Sequence, residues 1–210
     1  MKKLAESLRE VLPTDAFTDT EVSSLVHGSP NVRYGLVKRA ISSGDIIQLR
    51  RGVYGLGRRY QREQLNLFEL AQKVYSPSYI SVESALSFHG WIPEAAHTMT
   101  SVSAKRSAEF ETPVGLFSYT RIPRFNFVGV DRVVQGRSIF LMASPTKAIV
   151  DYVQVHKIER GGIRELAASL RIEEEHVRQI SGELLMKLVD IYRSKRVARF
   201  ARMVAREIWL

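Results

Sequence analysis

The chain has 210 residues, 45% of them apolar, which is enough to bury a core without covalent staples. Lysine and arginine number 31 against 22 aspartates and glutamates, a net charge of +9 that favours polyanionic partners, nucleic acid first. With no cysteine, disulfides, thiolate metal sites, iron–sulfur clusters and a cysteine nucleophile are excluded.

Leu4, Leu8, Val11 and Leu12 recur at helical spacing, and Pro13 ends that helix because its ring cannot continue the hydrogen-bond ladder. Thr18 and Glu21 form a capping box for a short second helix carrying Val22, Leu25 and Val26. Ser29 and Pro30 open a third helix over about Asn31 to Ser43, and Gly44 closes it. On that helix Val32, Leu36 and Ala40 are expected to pack, leaving Asn31, Tyr34, Lys38 and Ser42 free, with Arg33 and Arg39 on the flanks. Two β-prone runs from Ile46 to Leu56 then meet at a turn at Arg51-Gly52, a hairpin with arginines at its tip.

This order predicts a winged helix-turn-helix, in which the third helix reads base edges in the major groove and the hairpin grips phosphate. Its expected DNA-binding residues are Asn31, Arg33, Tyr34, Lys38, Arg39, Arg50 and Arg51. Charge agrees, since residues 31 to 62 hold eight basic side chains and a single acidic one, Asp45. A linker is placed at Gly57 to Arg62, dividing the chain into a DNA-binding domain of residues 1–62 and a second domain of residues 63–210.

Residues 63 to 75 read as a helix with Leu65, Phe68, Ala71 and Val74 inward, and Ser81 caps another that ends at Gly90. Strands are expected at Thr98–Ser103, Leu116–Arg121, Phe125–Val130 and Ser138–Ala143, making an antiparallel sheet covered by helices. A helix starts at Ser144-Pro145, and the tail from Ile163 to Leu210 is helical. The fold class is therefore α+β. Exposed charge alone nominates a secondary basic surface of Lys105, Arg106, Lys195, Arg196 and Arg199.

The stretches Tyr79 to Glu94, Thr100-Ser101-Val102 with Lys105-Arg106, Phe110 to Tyr119 and Ala143 to Tyr152 resemble the AbiEi antitoxins of bacterial type IV toxin–antitoxin systems. Arg33-Tyr34-Gly35-Leu36 with Arg51-Gly52-Val53-Tyr54 is similar to the N-terminal winged helix of that family, and Leu170-Arg171-Ile172 through Ser194-Lys195-Arg196 to its C-terminal helices. The resemblance implies a non-enzymatic protein of two parts. One part would bind operator DNA at inverted repeats, as two copies, and repress its own operon. The other would counter a nucleotidyltransferase-type toxin without a tight complex. The competing readings are a solitary winged-helix regulator whose second half dimerises it, and a Mg-dependent nucleic-acid enzyme.

Catalytic patterns are weak. The five histidines lack metal-ligand spacing, and Ser84 and His89, five residues apart, fall on different faces of one helix beside Glu83. Glu109 and Glu111 lack a matching Asp for a nuclease metal site. No cofactor or metal is expected. Met1-Lys2-Lys3 imitates the start of a signal peptide, but Glu6, Arg9 and Glu10 interrupt it, and no later run approaches the ~20 apolar residues of a membrane span. An unprocessed cytoplasmic protein without a membrane partner is the expectation.

Overall fold

The computed structural model describes residues 3–93 and 97–209; Met1, Lys2, Glu94 and Leu210, which entered the reading above, lie outside them. The class is α+β.

The first unit runs α1 (Leu4–Val11), β1 (Ala16–Thr18), α2 (Asp19–Leu25), α3 (Pro30–Ser42), β2 (Ile46–Arg50) and β3 (Val53–Leu56). The capping box is present: Glu21 Oε2 accepts from the Thr18 N–H at 2.7 Å, and Thr18 Oγ1 accepts from the Glu21 N–H at 3.4 Å. Ser29 caps α3, and Gly44 beyond its end takes φ +69°. The strands form an antiparallel sheet in the order β1-β3-β2. β1 was not expected, because three residues next to a strong helix cap carry no alternation to read.

That sheet is covered on both faces. Phe17 pairs with Tyr54 and Ile46 with Leu56, and these four pack with Ala5, Leu8, Val22, Val37 and Ala40 of the helices. Ala16, Leu49 and Val53 belong instead to the larger core of the rest of the chain, with Leu65, Leu70 and Ala71. Apolar side chains of the hairpin are thus buried on both faces, while Gln48 and Arg51 stay exposed. Val37, not Val32, is the inward valine of α3, and Val32 is 52% exposed.

After a 3₁₀ turn at Arg58–Tyr60 come α4 (Leu67–Val74), β4 (Ser78–Ile80), α5 (Val82–Phe88), β5 (Thr98–Ser103), β6 (Ala108–Thr112), β7 (Gly115–Arg121), β8 (Val130–Gln135) and β9 (Ser138–Ala143). The C-terminal helices are α6 (Pro145–Val155), α7 (Ile163–Leu170), α8 (Glu174–Arg178), α9 (Gly182–Tyr192) and α10 (Lys195–Ile208). The sheet is not the antiparallel one expected. It is mixed, in the order β6-β7-β5-β4-β9-β8, with β5–β7 and β4–β9 parallel. β6 steps outward past one strand position, and β7 returns between it and β5, which aligns β7 with β5. A segment pattern gives strand positions but not this crossing.

Of the strand expected at Phe125–Val130, residues 125–129 form a loop and Val130 begins β8. Phe125 and Phe127 pack at a tilt against Tyr79 at ring distances of 5.3 and 6.0 Å, so their aromatic character serves a cluster and not a ladder. α4 lies on one face of the sheet, where the Tyr119 hydroxyl donates to the Ala71 carbonyl at 2.5 Å. α6 lies on the other, reached by Tyr79.

Arg62 does not sit in a loose linker. Its guanidinium donates to Asp15 Oδ1 at 2.6 Å and to the Leu12 carbonyl at 3.2 Å, and Lys73 of α4 meets Glu21 of α2 at 3.3 Å. Salt bridges and shared core thus join the two units. Among the described residues no helix is long and apolar enough to cross a membrane.

Candidate nucleic-acid interface and a sealed polar network

A groove of about 880 Å³ lies between α2, α3 and the hairpin. Arg33, Tyr34 and Lys38 of α3 line one side, and Gln48 and Arg51 of the hairpin the other. Helical spacing brings Tyr34 and Lys38 together, because they are a turn apart and border the side of α3 on which Val37 packs at the groove. Tyr34 is 69% exposed, an aromatic ring held in solvent beside two cations. At the floor is Tyr54, whose pKa is pushed up to about 12 by burial and then by the Asp19 carboxylate that accepts from its hydroxyl. The Asp19 N–H donates to the Gly52 carbonyl at 3.0 Å, which pins α2 to the hairpin turn. Gly52 needs its φ of +80° to make that turn.

The structure separates the other nominated residues. Asn31 is exposed at the start of α3 outside the groove lining, and Arg39 is exposed and folds back over Gly35. Arg33 also bonds the Gly28 carbonyl, which fixes its guanidinium at the mouth of the groove. Arg50 turns inward: it donates to the Val74 carbonyl at 2.6 Å, and its guanidinium lies 4.5 Å from the Phe110 ring centre and 5.6 Å from that of Tyr75. Arg50→Ala should therefore cost about 1.5–3 kcal/mol of stability in urea denaturation, as loss of a charged hydrogen bond does. It should lower DNA affinity less than Arg51→Ala, and the reverse ranking would return Arg50 to the interface.

Lys105 and Arg106 are exposed in the β5–β6 loop beside Arg50. The Lys105 ammonium sits 5.2 Å from the Tyr75 ring centre, and the Tyr75 hydroxyl donates to the Arg106 carbonyl at 2.9 Å. Lys195 is exposed at the start of α10. Arg196 and Arg199 do not join it as free charge. Arg196 Nε donates to Glu159 Oε1 at 3.0 Å and Arg199 Nη1 to the Glu159 carbonyl at 2.6 Å, closing the α6–α7 loop onto α10.

A second cluster escaped the sequence reading. On α6, Lys147 and Asp151 are 0% exposed and paired at 3.0 Å. Asp151 also accepts from the Tyr79 hydroxyl at 3.0 Å, from Ser81 Oγ at 2.7 Å and from the Tyr192 hydroxyl. Lys147 lies over the rings of Tyr192 and Tyr79, at 4.6 and 5.1 Å. Burial pulls the Lys147 pKa down against the opposing pull of Asp151. Burial and the nearby carboxylate push both tyrosines up, so they remain donors. With four donors on one carboxylate and no exposure of the Lys147 and Asp151 side chains, this network fastens α6 to β4 and α9. Its signal in the sequence was faint but present: the 145–155 helix has only two charged residues, and they are four apart.

Glu83, Ser84 and His89 go three ways. Glu83 pairs with His156 at 2.8 Å, Ser84 Oγ accepts from the Thr100 N–H at 2.8 Å, and His89 Nε2 is 2.9 Å from the Ala143 carbonyl. Among the described residues no three His, Asp or Glu side chains are grouped to hold a metal ion. No protein-family model matches the chain, and no curated protein is significantly similar to it.

Proposed function

We propose that the chain is a non-enzymatic, operator-binding autorepressor and antitoxin of the AbiEi kind, its first unit a winged helix-turn-helix. The observation that carries the DNA-binding part is the single groove that brings Arg33, Tyr34 and Lys38 of α3 opposite Arg51 of the hairpin. The order α1-β1-α2-α3-β2-β3, with β1 beside β3, supports the winged-helix reading. On this reading α3 enters the major groove with Asn31, Tyr34 and Lys38 foremost, and Arg51 meets the sugar–phosphate backbone. The antitoxin part rests on the blocks of the second unit that resemble the family, and its target is a nucleotidyltransferase-type toxin encoded nearby.

Fluorescence anisotropy of the full chain on its own upstream DNA and on a shuffled duplex, across a salt series, tests the DNA-binding part. Arg51→Glu should weaken binding to both duplexes alike and flatten the log–log salt dependence by about 1. Tyr34→Ala or Asn31→Ala should instead erode the preference for the upstream sequence, by about 1–3 kcal/mol per lost base contact. Equal losses on both duplexes from all three changes would sink the division of labour between helix and hairpin. For the antitoxin part, full-length protein carrying Arg51→Glu should lose repression yet still rescue growth against the neighbouring toxin. Rescue that disappears along with operator binding would defeat the two-part assignment.

A further inference from the structure

On the side of the mixed sheet away from α4, a cavity of about 360 Å³ opens between α5, the end of α6, and strands β5 and β7. β5 and β7 run parallel with Thr98 beside Leu116, Thr100 beside Ser118 and Val102 beside Thr120. Alternation along the strands therefore turns the side chains of Thr98, Thr100, Ser118 and Thr120 to this one face. Val82 and Val155 supply apolar wall, and Glu83 and His156 stand together at the margin.

The backbone at this margin is unusual. Val82 has φ +57°, a left-handed conformation that β-branched residues rarely adopt. Three hydrogen bonds hold it there. Ser81 Oγ donates to Asp151 Oδ2 at 2.7 Å, Thr100 Oγ1 donates to the Ser81 carbonyl at 2.8 Å, and the Ser84 N–H donates to Thr100 Oγ1 at 2.9 Å. The result is that Glu83 Oε1 is presented 2.8 Å from His156 Nε2. Burial pushes the Glu83 carboxyl up, but hydrogen bonds from His156, its own backbone and Thr100 outweigh burial and keep it acidic. Among the described residues no lysine or arginine lines the cavity, so an anion would meet an ionised carboxylate with only the imidazoles of His97 and His156 to offset it.

We propose that this cavity binds a small organic cation, an amine or guanidinium compound whose charge rests on Glu83 and whose carbon chain lies against Val82 and Val155. The hydroxyl-lined strands would accept its remaining N–H groups. A cavity of mixed apolar wall with a few convergent polar groups is what a small-molecule site requires. This lies outside the DNA-binding groove, so its success or failure is independent of the operator reading.

Agmatine, a guanidinium and an ammonium joined by a short chain, is the probe, and succinate is the anionic control. Titration of the full chain, followed by amide chemical shifts, should give saturable changes around Thr98–Ser101 and Ser118–Thr120 with agmatine and none with succinate. Glu83→Gln should weaken agmatine binding about tenfold or more. Ser118→Phe, which fills the cavity from β7 without altering the Glu83–His156 pair, should abolish it, and it alone decides the matter if Glu83→Gln reduces the yield of folded protein. Tyr34→Ala should leave it unchanged. No saturable shifts, shifts that map elsewhere, or agmatine binding that survives Ser118→Phe unchanged would overturn the proposal.

Discussion

Asp151→Ala should destabilise the protein by about 3–5 kcal/mol, because it leaves the Lys147 ammonium buried without its counter-charge. The carboxylate occupies the centre of a cluster that water does not reach: Lys147, Asp151, Tyr79 and Ser81 are all 0% exposed. Removing it also strands the hydroxyls of Tyr79, Ser81 and Tyr192, each of which donates to it. Urea denaturation of the full chain measures the loss. The paired replacement Lys147→Met with Asp151→Leu should recover much of it, since exchanging a buried ion pair for apolar groups of similar volume is often neutral or better. Tyr192→Phe should cost only about 1 kcal/mol, the usual net worth of one hydrogen bond. An Asp151→Ala protein as stable as the parent, with the double variant no better, would mean that the cluster does not bind α6 to β4 and α9.

What the sequence made legible follows from how local each signal is. The cap of α2 at Thr18 and Glu21, the start of α3 at Ser29-Pro30, and the turn at Gly52 each depend on residues within a few positions, and each is where the pattern put it. Long-range features were not legible. β1 and β4 are three residues long and become strands only because β3, β5 and β9 lie beside them. β6 carries Glu109 and Glu111, residues depleted in strands, on its exposed positions, so its alternation did not read as a strand.

The groove divides in the same way. Tyr34 and Lys38 could be placed on the free face of α3 by helical spacing, since that face is set by the helix itself. The two arginines of the hairpin are consecutive and look alike in the sequence, yet Arg50 ends β2 and Arg51 stands in the turn, and they meet different surroundings. Arg51 lines the groove, and Arg50 reaches Val74, Tyr75 and Phe110, residues 24 to 60 positions away. Spacing carries no information about a partner that distant. The same holds for Lys147 and Asp151: their separation by four was visible, but Tyr79 and Tyr192, which seal them in, come from the far sides of the second unit.

Gly57→Ala should cost about 3 kcal/mol or more, which is large for one methyl group. The reason is space and not conformation. Gly57 has φ −61° and ψ 150°, which any residue adopts, but a Cβ there would stand 2.1 Å from the Gly44 carbonyl oxygen and 3.0 Å from the carbonyl of Asp45. Those are backbone atoms, so no rotamer change relieves the clash. The Gly57 N–H also donates to the Asp45 carbonyl at 2.8 Å, and the Asp45 side chain holds Lys3 and Arg59, so the chain after β3 straps the end of α3 to the start of α1. Gly44→Ala is the control. Gly44 needs φ +69° but has nothing within 4 Å of a Cβ, so alanine there should cost only the left-handed penalty of about 1–2 kcal/mol. Because the clash displaces the turn between α3 and β2, Gly57→Ala should also reduce preference for upstream over shuffled DNA in the anisotropy experiment. A Gly57→Ala protein no less stable than Gly44→Ala would mean that the chain passes the 44–45 turn at ordinary contact distance. Residues 57–62 would then act as a hinge and not as the strap that holds α3 against its sheet.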